Sequence, residues 1–156
     1  MFTMEQMKDW IGLSVEALST AGCAAFVADP AAGGIDIFLG TTRAELNAAG
    51  KALAALEYEA YSEMAVAQMT DLAARARLCW PILKLVLLHR VGRVKVGEAS
   101  VIIAVATPHR GEAFEACRWL IDTLKAEVPV WKKEVWEDGS VSWVEGSEIK
   151  TDKVTR

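Results

Sequence analysis

Five basic side chains could carry chemistry in this chain: Arg43, the adjacent His109 and Arg110, and the lysines Lys125 and Lys132. Two runs, Thr107-Pro108-His109-Arg110 and Val128-Pro129-Val130-Trp131-Lys132-Lys133, bracket a predicted helix with Lys125 in its last turn. They concentrate positive charge at both ends of one element, in a protein of formal net charge -4. An anionic ligand is a natural reason for such an island; a solvated helix with ordinary surface lysines is the plain alternative. The first N–H groups of a helix lack intrahelical partners, and with the macrodipole they favour an anion there. At that end Arg110 would add a bidentate fork suited to phosphate or carboxylate. At the other end Pro129 turns the chain, so Lys125 and Lys132 can approach each other. Neighbouring ammonium groups lower each other's pKa, burial lowers it further, and a lysine tuned this way can act as an acid/base or nucleophile. Lys132 and Lys133 are adjacent on a predicted strand and point to opposite faces. Arg43 closes Gly40-Thr41-Thr42-Arg43 and could meet an anion at a strand end.

Helix length constrains these groups. At the usual rise per residue, Arg110 and Lys125 stand roughly 22 Å apart. One chain cannot bring both to one ligand; a symmetric dimer could supply one from each subunit.

Other chemistries find little support. The pI near 5.3 argues against a general nucleic-acid binder. No apolar run reaches the roughly 20 residues of a membrane helix, and Met1–Trp10 does not read as a secretory signal. Cys23, Cys79 and Cys117 lack metal-ligand spacing and read as reduced, structural thiols of a cytosolic protein. With two histidines in the chain, a His-rich metal site is not expected. A phosphate-binding P-loop, a GxGxxG fingerprint and a nucleophile elbow are all absent. Trp80, Trp119, Trp131, Trp136 and Trp143 could stack on a heterocycle but fit core or interface positions better.

The elements that must position these groups follow from periodicity. Met4, Met7, Ile11, Val15 and Leu18 recur at helical spacing over 4–21, which Ser14 could split into two short pieces. Asp29–Gly34 is a turn. Ile35–Thr41 alternates as a strand, and 43–51 reads as a mobile loop. A second strand, 52–61, is followed by a helix over 63–78, capped by Ser62, with Ala65, Met69, Leu72, Ala73 and Ala76 on its buried stripe. Trp80-Pro81 ends it. Residues 82–91 and 99–107 read as strands, the last a central one, and 94–97 as a short strand or turn, before the helix over 110–126. Strands 130–137 and 141–145 flank Asp138-Gly139, a two-residue hairpin signal. Residues 1–32 form an expected N-terminal helical segment, 33–146 the main domain and 147–156 a frayed tail. At 156 residues the whole is one α+β domain, or one such domain with a small appendage.

Five ordered motifs over roughly residues 33–145 carry a family resemblance: Phe38-Leu39-Gly40-Thr41-Thr42-Arg43, Leu56-Glu57-Tyr58-Glu59-Ala60-Tyr61, His89-Arg90-Val91-Gly92, His109-Arg110 with Phe114-Glu115-Ala116, and Leu124-Lys125 through Lys132-Lys133-Glu134. Together they resemble the large, catalytic subunit of molybdopterin synthase. The resemblance implies an α/β hammerhead-type fold with an additional antiparallel β subdomain. It implies a cytoplasmic sulfurtransferase that converts cyclic pyranopterin monophosphate (precursor Z) to molybdopterin. Sulfur would come from the thiocarboxylated C-terminal Gly-Gly of a small ubiquitin-like subunit. The large subunit would form the homodimeric core of a heterotetramer, with no cofactor or metal of its own, and with no role for nucleic acid or membrane.

Carried over by motif, Lys125 and Lys132 match the family's active-site lysines, and Arg43, His109 and Arg110 its anion-binding residues, the His-Arg pair coming from the dimer mate. The implied mechanism has the thiocarboxylate sulfur attack a side-chain carbon of the pterin precursor. Lys125 serves as acid/base, Lys132 positions the thiocarboxylate or phosphate, and the arginines and His109 hold the phosphate. A reading from another class is a non-catalytic module that binds the Gly-Gly tail. The chain departs from the family pattern at Gly111-Glu112 and in the loop carrying Glu45.

Overall fold

The computed structural model describes residues 7–144. The chain runs β1 (Asp9–Ser14), α1 (Thr20–Val27), β2 (Gly34–Thr41), β3 (Leu53–Ala60), α2 (Ser62–Cys79), β4 (Lys84–Arg90), β5 (Gly92–Lys95), β6 (Ala99–Thr107), α3 (Arg110–Glu127), β7 (Val130–Trp136) and β8 (Val141–Trp143). Two four-stranded sheets result, one ordered β1-β4-β6-β2, the other β5-β3-β7-β8. Every pairing is antiparallel except β1 with β4. The architecture is α+β, and the second sheet is the expected antiparallel addition.

Alternation along β4 and β6 divides the core. Leu85, Leu87, Ile103 and Val105 join Met69 and Leu72 of α2 and Leu120 and Leu124 of α3 on one face. Val86, Leu88, Ile102 and Ala104 face the other way, onto Cys23, Phe26 and Val27 of α1. With both faces covered, β6 is buried almost throughout, as its unbroken apolar run requires. The second sheet packs around Leu53, Leu56, Tyr58, Val94 and Trp136.

The buried stripe of α2 is Ala65, Met69, Leu72, Ala73 and Ala76, as its spacing predicts. Ser62 is the first helical residue rather than the cap; Tyr61 occupies that position without a side-chain cap bond. The helical reading of the N-terminal segment fails over its first part among the described residues. Residues 9–14 are strand β1, and helix α1 starts only after Ser19, whose Oγ accepts from Gly22 N–H at 3.0 Å. Tertiary contacts override the helical spacing. β1 forms a parallel ladder with β4, and Arg77 of α2 anchors it by donating to Asp9 at 2.6 Å.

The 43–51 segment is also more ordered than its composition suggests. Leu46 bridges Ala52, and Asn47 Oδ1 accepts from the N–H groups of Ala49 and Lys51. Gly50 takes the left-handed conformation (φ 79°) that closes this loop. At the last hairpin Trp136 N–H donates to Ser140 O, which leaves three residues in the turn. Gly139 N–H donates to Trp136 O, and Gly139 has φ 88°, the pattern of a type I turn followed by a bulge rather than the two-residue turn. The frayed tail and Met4 lie outside the described residues.

Candidate functional site

The end of β2, the start of β6, the last turn of α3 and the middle of β3 and β7 meet around a cavity of about 700 Å³. That volume suits a metabolite-sized ligand. Phe38, Leu53, Leu56, Tyr58 and Val101 supply apolar wall. Arg43, Lys125 and Lys132 bring positive charge, while Glu45 and Glu134 bring carboxyls. None of the tryptophans among the described residues lines it.

Each cation is placed by its element. Leu120, Ile121 and Leu124 anchor α3 on the sheet and leave Lys125 at its C-terminal turn. Val128 N–H donates to Leu124 O, ending the helix, and β7 begins at Val130. In the β3–β7 register Tyr58 pairs with Lys132 and Glu57 with Lys133. Lys132 faces the cavity, whereas Lys133 turns the other way, 4.0 Å from Glu57 and over the Trp143 ring. Arg43 follows a break in the β2–β6 register at Gly40/Thr41. Beyond that break Thr42 is clamped, its N–H donating to Glu98 O and its carbonyl accepting from Gly97 N–H. Ser100 Oγ donates to Gly40 O at 3.2 Å and fixes the same corner. Thr42 Oγ1 is buried with no hydrogen-bond partner among the described residues, leaving a polar atom for a ligand to engage.

Burial is the main cause that pushes the Lys132 ammonium below the ordinary lysine range, and Lys125 lowers it further. Glu134 is pushed the opposite way, upward, by burial and by the hydrogen bond that its protonated form donates to the Glu45 carboxylate. The site thus holds a lysine that loses its proton more readily than usual and a carboxyl that keeps its own longer.

His109 and Arg110 lie elsewhere. Ser100 and Val101 line the cavity, and β6 then runs to Thr107 before α3 begins, a span of roughly 20 Å. His109 is the N-cap residue of α3 but makes no side-chain cap bond. Its side chain is 88 % exposed, with Nδ1 3.7 Å from Glu112 Oε1. The structure therefore brings together Arg43, Lys125 and Lys132 and leaves His109 and Arg110 at the opposite end of α3.

His89 is a neighbour that reasoning from residue types missed. It is buried at the end of β4, its Nδ1 2.6 Å from Arg90 O and its ring edge-on to Tyr58 at 5.0 Å. Burial first, then Lys125 and Lys132, drive its pKa down to about 4, so the imidazole is neutral at pH 7. A lone His in an apolar strand was the available signal, and only the fold shows that it backs the two lysines.

Comparisons with known proteins converge. Residues 13–127 match the family model described as MoaE protein. The chain is 46% identical over 142 residues to the molybdopterin synthase catalytic subunit of Taeniopygia guttata, covering 90% of each chain. Among solved structures it is similar to molybdopterin synthase from Staphylococcus aureus, with TM-score 0.80 and 31% identity over 86% of this chain and 96% of that one. It shares its fold with a chain in the Helicobacter pylori complex of subunits 1 and 2 of molybdopterin-converting factor, at TM-score 0.68 and 19% identity over 86% and 89% of the two chains.

Proposed function

This chain belongs to the MoaE protein family, and from that premise we propose that it is the catalytic subunit of a molybdopterin synthase, converting precursor Z to molybdopterin with sulfur from a thiocarboxylated small subunit. The enzyme class, a sulfurtransferase of molybdenum cofactor biosynthesis, follows from that membership. The observation that carries the reading is the convergence of Lys125, Lys132 and Arg43 on one cavity, with the Lys132 ammonium destabilised by burial. Its apolar wall accepts a ring system, and its cations accept a phosphate and a carboxyl-terminal tail.

In this reading the thiocarboxylate sulfur attacks a side-chain carbon of the bound precursor, and a lysine ammonium gives a proton to the oxygen on which charge develops. The lowered pKa moves the proton-transfer role toward Lys132, the residue assigned to positioning on resemblance alone. Lys125 then steadies the anion, and Arg43 holds the phosphate. The partner is a small ubiquitin-like subunit whose Gly-Gly tail enters the cavity; the fold shared with one chain of the Helicobacter pylori two-subunit complex supports this.

His109 and Arg110 act in trans. The length of α3 that separates them from the cavity supports a homodimer in which each subunit completes its partner's site, at the centre of a heterotetramer. A cytosolic location fits this chemistry, and no helix of the described residues is long and apolar enough to cross a membrane. The test is reconstitution of the full chain with thiocarboxylated small subunit and precursor Z, following the dithiolene product. Product that forms with wild type and not with Lys125→Ala or Lys132→Ala supports the reading; no product with wild type overturns it.

A further inference from the structure

We propose that Glu45 is a resident competitor for the anion-receiving cavity: its carboxyl, held against Glu134 among Arg43, Lys125 and Lys132, must be displaced before an anionic ligand can seat there. This rests on the reading of the cavity as the site that receives a phosphate or carboxylate. The loop that carries Glu45 is braced rather than slack. Leu53 N–H donates to Glu45 O at 2.9 Å, Leu46 bridges Ala52, and Asn47 Oδ1 ties down Ala49 and Lys51. These bonds fix the backbone at residue 45 and aim its side chain at the cavity wall. There it meets Glu134, itself held by a hydrogen bond from Ser142 Oγ at 3.1 Å.

Two carboxyls can hydrogen-bond only when they share a proton. Around this pair stand Arg43, Lys125 and Lys132, all lining the same cavity. A cavity that recruits anions gains nothing from an extra carboxylate, unless that group stands in for the ligand while the site is empty. Glu45 can leave easily. Residue 45 is exposed, so a rotamer change carries the carboxylate to water without unfolding the loop. Glu134 lies on strand β7, whose backbone pairs on both sides, and stays. Glu45 would thereby set a threshold: weak anions fail to displace it, while an anionic ligand that adds further contacts in the cavity succeeds.

The test is an NMR titration of the full-length chain with inorganic phosphate, comparing wild type with Glu45→Ala, Glu134→Gln and Lys125→Ala. Removing the competing charge in Glu45→Ala is expected to tighten phosphate about three- to tenfold. Glu134→Gln keeps a permanent donor facing Glu45, so it should tighten phosphate less or weaken it. In wild type, phosphate should shift the Leu53 amide resonance, which reports the bond to Glu45 O. Lys125-dependent binding that is unchanged in Glu45→Ala would overturn the competitor role while leaving the anion site intact. Equal gains in Glu45→Ala and Glu134→Gln would also overturn it, since they would mark simple charge removal. Binding indifferent to Lys125→Ala would remove the anion site and the competitor together.

Discussion

The Lys132 ammonium stands 5.9 Å from the centroid of the Tyr58 ring, its direct cross-strand partner. The ring face is the surface on which a partly desolvated cation is best tolerated. Behind it, His89 meets the same ring edge-on. A neutral imidazole, an aromatic ring and a lysine thus form one stack leading from the core to the cavity.

Because burial disfavours the charged form of Lys132, its folded pKa lies below its unfolded value. The stability cost is present below the folded pKa and relieved as pH rises through it. Lys132→Met should therefore raise Tm at pH 7 by about 2–4 °C, while turnover falls about 10²-fold or more. Thermal denaturation beside a product assay checks both, and a lower Tm would contradict the desolvation argument.

Lys125 separates catalysis from simple binding. Lys125→Arg keeps the positive charge but cannot reproduce the shape and proton chemistry of an ammonium. It should retain affinity for the small subunit within about twofold and lose turnover by about 10²-fold. Full activity would favour a site that needs only charge at this position, as a tail-binding module would.

His89 has a folded pKa of about 4 against an ordinary value of 6.5, with burial as the main cause. The unfolded chain then binds the extra proton between those values. Stability falls as pH drops from about 6.5 toward 4, by up to roughly 3 kcal/mol. Urea unfolding at pH 7 and pH 4.5 should show this loss in wild type and a flatter dependence in His89→Gln. Equal pH slopes in the two proteins would show that other groups carry the acid sensitivity.

These contacts also explain what could be read from residue types and what could not. The stripe of α2, the apolar run of β6 and the opposed faces of Lys132 and Lys133 are local patterns, and they appear where spacing puts them. Residues 9–14 misled because their apolar spacing suits a helix, while the interaction that decides their state is a ladder with Leu85–Arg90. The order of the 43–51 loop comes from Asn47 capping its own loop and from the Leu46–Ala52 bridge, which composition does not show. The separation of His109 and Arg110 from the lysines followed from helix length alone. His89 did not, since its importance lies in what packs around it.

The placement of His109 and Arg110 depends on a close approach beneath them. A Cβ on Gly34 would come within 2.6 Å of the Arg110 Cα. Gly34→Ala must shift the start of α3, costing about 1–3 kcal/mol. Gly12, on a strand with nothing within 4 Å of its would-be Cβ, is the control, and Gly12→Ala should leave stability within about 0.5 kcal/mol. Chemical denaturation of both variants decides the matter; equal effects would rule out crowding as the cause.

The three cysteines should respond unequally to a thiol reagent. Cys79 is exposed, while Cys23 and Cys117 are buried. Burial, with Asp36 beside it, pushes the Cys117 thiol up to about 12, and burial also raises Cys23. Native protein should therefore label rapidly at Cys79 alone, with the other two reacting only on unfolding. Mass spectrometry of the labelled peptides reads the outcome directly.

The parallel pairing of β1 with β4 carries a consequence for how the chain is made. Asp9–Ser14 leaves the ribosome early, but its partner, Leu85–Arg90, follows far behind. At common synthesis rates the gap between them lasts about 4–15 s. Throughout that interval Trp10, Ile11 and Leu13 have no sheet to join, and the loop that must finally close is the costly, long-range kind. A strand made long before its partner is thus among the last to be secured, and the nascent chain is exposed to mispairing at Asp9–Ser14 until Leu85–Arg90 arrives.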